Sequence, residues 1–199
     1  MSINRVSDAD LVQRARQGDP AAFGELVDRH RAAVYRAALA ALGSAADADD
    51  VAQDAFLMAY RRLASFRGDS SFKTWLLTIT WHQAINRRRT VTRLWRLIVQ
   101  PSADAETESP LERVASAGPT PEEAVVDNEF RDAIRQAIRA LPPKLRDALL
   151  LAQAGEYTYE EIGAMLNAPV GTIKWRVSEA RRSVRKQLRE RGYEDVVGQ

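Results

Sequence analysis

Apolar residues recur at spacings of three and four almost throughout this 199-residue chain, and strand alternation is hard to find anywhere. That period commits the chain to helices that each bury one stripe, so the expected fold class is all-α. Stop and start signals divide the helices. Ser7 precedes an acidic turn and Leu11-Val12, and Gly18 stands where that short helix ends. Asp19-Pro20 reads as a cap followed by a first-turn proline. The helix behind it places Phe23, Leu26, Val27, Val34, Ala38 and Leu42 on its apolar side and stops at Gly43. Ser44 opens a third helix with Val51, Ala55, Met58 and Leu63 directed inward. After a turn over 65–71, Phe72, Trp75, Leu76 and Ile79 make the stripe of a fourth helix that runs into Arg87-Arg88-Arg89.

The pattern lapses from about Gln100 to Pro119, where prolines, serines and acids replace any apolar period. Helix resumes at Thr120-Pro121-Glu122-Glu123, breaks at Pro142-Pro143, and continues through Leu145, Leu149 and Leu150 to Gly155. Charge follows the same division: +5 over residues 1–99, −6 over 100–128 and +3 over 129–199. Two mildly basic blocks flanking an acidic strip suggest two anion-binding domains joined by a tether, or else ordinary charged surface. The expected domains are 1–97, a flexible acidic linker over 98–120, and 121–199.

Composition narrows the function. Without cysteine there can be no disulfide scaffold, thiolate zinc site, iron–sulfur cluster or cysteine nucleophile. His30 and His82 are too few and too far apart for an imidazole metal cluster. No apolar run approaches the ~20 residues that a bilayer demands. The segment Met1-Ser2-Ile3-Asn4-Arg5 lacks the apolar core of a signal peptide, so a soluble, cytoplasmic protein is expected, making no membrane contact itself.

Residues 158–188 are the most informative stretch. Thr158-Tyr159-Glu160-Glu161 is a capping box, followed by Ile162, Met165 and Leu166 for a core. Gly163 is expected where another helix crosses closely. Asn167 suits a left-handed helix end and Pro169 the first turn of the next helix. That helix has a seam of Ile173, Val177, Ala180, Val184 and Leu188, with Lys174, Arg176, Arg181, Arg182, Arg185, Lys186 and Arg189 on its other faces, opposed mainly by Glu179. A short helix, a tight turn and a long basic helix make a helix-turn-helix, whose second helix can enter the major groove. Lys174 and Arg176 can donate to guanine, Thr172 to base or phosphate, and the later arginines to phosphates. The competing structural role is a basic surface helix closing a bundle.

Pro169-Val170-Gly171-Thr172-Ile173-Lys174-Trp175-Arg176, followed by Ala180-Arg181, resembles the promoter-reading motif of extracytoplasmic-function (ECF) sigma factors. Asp49-Asp50-Val51-Ala52-Gln53-Asp54-Ala55-Phe56 resembles that family's polymerase-binding helix. Phe66-Arg67-Gly68-Asp69-Ser70-Ser71-Phe72-Lys73-Thr74-Trp75-Leu76 resembles its loop and helix for the melted promoter. Leu141-Pro142-Pro143-Lys144-Leu145-Arg146 fits the start of the second domain.

The resemblance implies that Asp49, Asp50, Gln53 and Asp54 dock on the clamp helices of the largest subunit of core RNA polymerase. Helix-end stabilisation is the other role open to these acids. Phe56 and Met58 serve either that face or the core. The resemblance further implies that the loop of Phe66, Arg67, Gly68, Asp69 and Ser70 receives an unstacked minus-ten base, with His82, Asn86 and Arg87 along flanking DNA. Phe72 and Trp75 are expected in the core, whereas Trp81 and His82 lie off their stripe and are candidates for bases. For minus-thirty-five duplex, the implied set is Thr158, Gly171, Thr172, Lys174, Trp175, Arg176, Glu179, Arg181 and Arg182. Trp175 is expected to pack or to touch backbone rather than to read a base.

The linker acids Asp104, Glu106, Glu108 and Glu112 either act inside polymerase, as the resemblance implies, or only space the domains. The expected partners are core polymerase, promoter DNA and an anti-sigma factor; no metal, cofactor or catalytic residue is expected. Asp47, Asp49, Asp50 and Asp54 imitate a magnesium site, but no base, nucleophile or phosphate loop accompanies them. A stand-alone helix-turn-helix regulator would explain 158–188 equally well, yet it gives no reason for the acidic third helix or the aromatic-basic fourth.

Overall fold

The computed structural model describes residues 6–98, 121–154 and 157–193, with 91–98 and 121–128 described by backbone alone. The described residues are helical, without strands, and fall into two compact units, one within 1–114 and the other within 115–199. The linker expected over 98–120 lies outside the described residues except for Ile98, as do its acids and the expected stop at Gly155.

The first unit contains α1 (Asp8–Arg16), α2 (Pro20–Leu42), α3 (Ala45–Arg62), a 3-10 turn (Leu63–Ser65) and α4 (Phe72–Ile98). Its boundaries follow from local chemistry. The Ser7 hydroxyl accepts from the Asp10 amide at 3.2 Å, and Asp19 accepts from Ala21 and Ala22 at 2.9 and 3.2 Å. Gly43 ends α2 at φ +69°, a left-handed conformation that glycine adopts without side-chain strain. Ser71 accepts from the Thr74 amide at 3.0 Å at the start of α4.

The core of this unit is built largely from small side chains: Ala33, Ala37, Ala38 and Ala41 on α2, Ala48, Ala55 and Ala59 on α3, and Ala84 on α4. Helix α4 packs against both α2 and α3, so more than one of its stripes is covered. Phe72, Leu76 and Ile79 are buried as expected, but so are Leu77, Thr80, Trp81 and Ile85. Thr80 satisfies its buried hydroxyl by donating to the Leu76 carbonyl at 2.9 Å. Trp81 is only 1% exposed and belongs to the core, a correction to its expected place against DNA bases. Trp75, expected in the core, is half-buried.

The second unit contains α5 (Pro121–Ala140), α6 (Pro143–Gln153), α7 (Tyr159–Met165) and α8 (Val170–Glu190). Helix α8 packs on α5, α6 and α7 through Ile173, Val177, Ala180 and Leu188, all buried, with Val184 half-buried. The capping box is complete: Thr158 Oγ1 accepts from the Glu161 amide at 3.1 Å, and Glu161 Oε2 accepts from the Thr158 amide at 2.9 Å. Asn167 takes φ +46° in the turn, and the Ala168 amide donates to the Gly163 carbonyl at 2.9 Å. A Cβ at Gly163 would lie 2.7 Å from the Ala168 carbonyl oxygen. The element closest to Gly163 is therefore the turn's own backbone, rather than the crossing helix expected; the nearest α8 atom, on Ile173, would be 3.9 Å away.

This packing gives three substitutions an expected sign. Trp81→Ala should destabilise the first unit by about 3–5 kcal/mol, the usual range for a large aromatic lost from a core. A thermal midpoint close to that of the wild type would return Trp81 to the surface. Gly163→Ala should cost about 1–3 kcal/mol in the second unit, because backbone must move to admit the methyl group. Gly24→Ala, where nothing lies within 4 Å of the added atom, should instead stabilise α2 by roughly 0.5–1 kcal/mol. Thermal or denaturant unfolding of the three variants measures both signs.

Candidate functional site

One face of the first unit is acidic. Asp49, Asp50, Gln53 and Asp54 are exposed on α3, and Phe56 is half-buried beside them. Asp49, Asp50, Gln53 and Phe56 border a groove of about 790 Å³ whose other wall is Val27, Arg31, Ala32 and Tyr35 of α2; Asp54 lies outside its lining. The structure thus brings Asp49, Asp50, Gln53 and Phe56 together and adds Arg31 and Tyr35, which the sequence analysis missed. It also missed Leu57 and Tyr60, 54% and 50% exposed on the same helix. Their signal was available, since Leu57 lies seven residues after Asp50 and so falls on the same stripe.

Arg87 of α4 reaches across to α3. Its Nε and Nη2 donate to Asp47 Oδ1 at 2.9 and 2.7 Å, and Nη2 also donates to Asp50 Oδ2 at 3.1 Å. The hydrogen bond to Asp47 raises the Arg87 pKa above its ordinary value, and the nearby carboxylate charges add to the effect. Arg87 thus fastens α4 to α3 while its side chain stays partly exposed, a tie the sequence analysis did not anticipate. Asp47, half-buried in the first turn of α3, is half of that fastening.

A second face combines the loop before α4 with a groove of about 420 Å³ between α3 and α4. Phe66 is half-buried, with ring centroids 5.1 Å from Trp75 and 6.0 Å from Phe72. Arg16 of α1 pins this loop: its Nε donates to the Leu63 carbonyl at 3.0 Å, its Nη2 donates to the Phe66 carbonyl, and its guanidinium lies 5.9 Å from the Phe66 ring centroid. That anchor was not legible beforehand, because the partners are 47 and 50 residues apart. Beyond Phe66 the chain turns at Gly68, φ +82°, leaving Arg67, Asp69 and Ser70 exposed. Arg67 and Asp69 form an exposed ion pair at 3.1 Å.

The groove is lined by Met58 and Arg62 of α3 and by Trp75, Thr78, Ile79, His82, Gln83 and Asn86 of α4. His82 and Asn86 are exposed, one turn apart, and Gln83 donates to Met58 Sδ at 3.1 Å. With Trp81 in the core, the half-buried Trp75 is the indole that faces this groove.

In the second unit, Gly171, Lys174, Arg181 and Arg182 are exposed on α8, whereas Thr172, Arg176 and Glu179 are half-buried. Glu179 holds Arg182 at 2.8 Å. Thr158 is exposed but its oxygen is occupied as the cap of α7. A groove of about 610 Å³ follows α8 past Tyr159, Lys174, Ser178, Arg181, Arg185 and Arg189. Tyr159 and Ser178 were missed, since their proximity depends on how α7 leans on α8. Trp175 is 61% exposed, so the packing role expected for it does not hold. Among the described residues, no group of His, Asp and Glu side chains could hold a metal ion, and no helix is long and apolar enough to cross a membrane.

Comparison with known proteins agrees with both units. Sigma-70 region 2 matches residues 26–94, and Sigma-70 region 4 matches residues 131–184. The chain is 35% identical to the ECF RNA polymerase sigma factor SigW of Bacillus subtilis over 90% of this chain and 95% of that protein. It is 36% identical to the ECF RNA polymerase sigma-E factor of Escherichia coli, covering 90% of this chain and 93% of the relative. Against the RNA polymerase sigma-H factor of Pseudomonas aeruginosa the identity is 34%, with 94% and 96% covered.

Among solved structures, CnrH in complex with the cytosolic domain of CnrY superposes with a TM-score of 0.61 at 25% identity, covering 92% of this chain and 97% of that one. The sigma factor RpoE from Bartonella quintana, solved with the anti-sigma factor NepR, gives 0.59 at 25% identity over 84% and 96%. With both region models placed in order and relatives matched over nearly their full length, the chain belongs to the ECF sigma factor family.

Proposed function

We propose a division of labour for the two units of this sigma factor, which directs RNA polymerase to promoters. The α2–α3 face of the first unit, with Asp50 and Gln53 at its groove and Asp54 exposed one turn beyond Asp50, docks on the clamp helices of core polymerase. The loop of Phe66 to Ser70, with Trp75, His82 and Asn86, receives the melted minus-ten strand. The outward side of α8 reads minus-thirty-five duplex, its cations on phosphate and Lys174 and Arg176 at base edges. Catalysis belongs to polymerase, and the chain works beside it in the cell interior. By analogy with the RpoE–NepR complex, an anti-sigma factor holds this chain inactive by covering these same faces.

The observation that carries the reading is that one small helical unit exposes two separate polar faces, an acidic groove on α2 and α3 and an aromatic-polar groove on α3 and α4. A DNA-binding regulator needs only the second unit and leaves both grooves without a purpose.

Two measurements test the proposal. Asp54→Lys replaces an exposed acid of α3 with a cation, so it should weaken capture by core polymerase about tenfold or more while leaving the thermal midpoint unchanged. Unaltered holoenzyme assembly in a competition assay would remove the docking role. If about five α8 cations neutralise phosphates, log K for minus-thirty-five duplex should fall against log salt with a slope near −4 to −5. A nearly flat dependence, or tight operator-like binding by the chain alone with no promoter-directed transcription on adding core polymerase, would contradict it.

A further inference from the structure

The core of the second unit fixes which side of α8 faces outward. Ile173, Val177, Ala180, Val184 and Leu188 turn one side of the helix inward. At 3.6 residues per turn, the direction opposite the middle of that seam, about 180° around the helix, falls on Trp175. The indole there is 61% exposed, in the second turn of α8. One turn before it stands Gly171, which has no side chain and nothing within 4 Å of where a Cβ would lie. Nothing on α8 therefore shields the indole from a surface approaching its outward side from the N-terminal end.

The first turns of a recognition helix are the part that enters the major groove, and the side chain farthest from the protein core reaches deepest into it. Cations around that point have phosphates to meet along the groove walls. The indole differs from them: it carries a single donor, no charge and no acceptor, and the rest of its surface is apolar. The apolar group that the groove floor offers is the C5-methyl of thymine. We infer that Trp175 is a specificity-determining residue of this sigma factor, packing its indole against a thymine methyl in the minus-thirty-five element. The inference rests on the reading of α8 as the minus-thirty-five helix.

The test uses holoenzyme reconstituted from core polymerase and the full chain, transcribing templates whose minus-thirty-five element is randomised. The wild type should enrich thymine at one position by roughly tenfold over other bases, within the usual cost of a mismatched pair. Trp175→Ala should lose the preference at that position and keep it elsewhere. Replacing that thymidine with deoxyuridine deletes only the methyl group. It should lower wild-type output by about fourfold, the equivalent of ~0.8 kcal/mol per buried carbon, and leave Trp175→Ala output unchanged. Trp175→Phe, which keeps an apolar ring, should retain part of the methyl response.

The inference is overturned if Trp175→Ala keeps the thymine preference, or if deoxyuridine serves the wild type as well as thymidine. A uniform fall in Trp175→Ala output on every template also overturns it, assigning the indole to phosphate or protein contact. A wild-type chain that yields no promoter-directed transcript on any template overturns the sigma-factor reading of α8 itself. The helix content and thermal midpoint of Trp175→Ala should match the wild type, because the side chain lies outside the core.

Discussion

Alanine sets the spacing on which the first unit depends. Ala33, Ala37, Ala38 and Ala41 on α2 and Ala48, Ala55 and Ala59 on α3 are all buried in a unit where α2 packs on α3, and the separation of packed helices depends on the side chains at the contact. Among the described residues the fully buried tryptophan, Trp81, comes from α4, the helix that packs on both α2 and α3. Packed side by side, adjacent helices also share surfaces. The acidic groove takes its walls from α2 and α3, and the aromatic-polar groove from α3 and α4. Helix α3 thus contributes to both, with Asp50 and Gln53 at one groove and Met58 and Arg62 at the other.

Ion pairs set register in this framework more than they hold it together. Arg87 bridges Asp47 and Asp50 while all three remain partly open to solvent, where such contacts typically contribute about 0–1 kcal/mol. Its consequence is geometric: the basic end of α4 is tied to the acidic start of α3, and Asp50 belongs at once to this tie and to the exposed acidic face. Arg16 acts similarly on the loop after α3, holding backbone carbonyls at Leu63 and Phe66 so that the residues beyond Gly68 project from a fixed base. In the second unit the corresponding device is steric. Gly163 admits the Ala168 carbonyl so closely that a methyl group there would force the turn's backbone to move, while the buried seam of α8 sets its outward direction.

Much of this was legible in the chain itself, for reasons that are local. Caps at Ser7, Asp19, Ser44 and Thr158, stops at Gly43 and Asn167, and the seam of α8 all depend on residues within a turn or two of one another. The exposed acids of α3 and the exposed cations of α8 were likewise visible from spacing. What was misplaced or missed depended on distant partners. Trp81 was assigned to the surface because a single stripe was drawn along α4, and the tie of Arg87 to α3 was missed because its acids lie 40 and 37 residues earlier.

The amino-acid order by itself determined where helices begin and end, which chemistry each carries, and the family to which the motifs belong. Only the tertiary structure decided how many sides of each helix are covered, and therefore which aromatic remains free. Periodicity along one helix reports a preferred face but cannot count the neighbours that pack upon it. Burial is set by how those neighbours are distributed around the helix: α4 meets α2 and α3 on more than one stripe and takes Trp81 inside, whereas α5, α6 and α7 all pack against the one seam of α8 and leave Trp175 pointing outward.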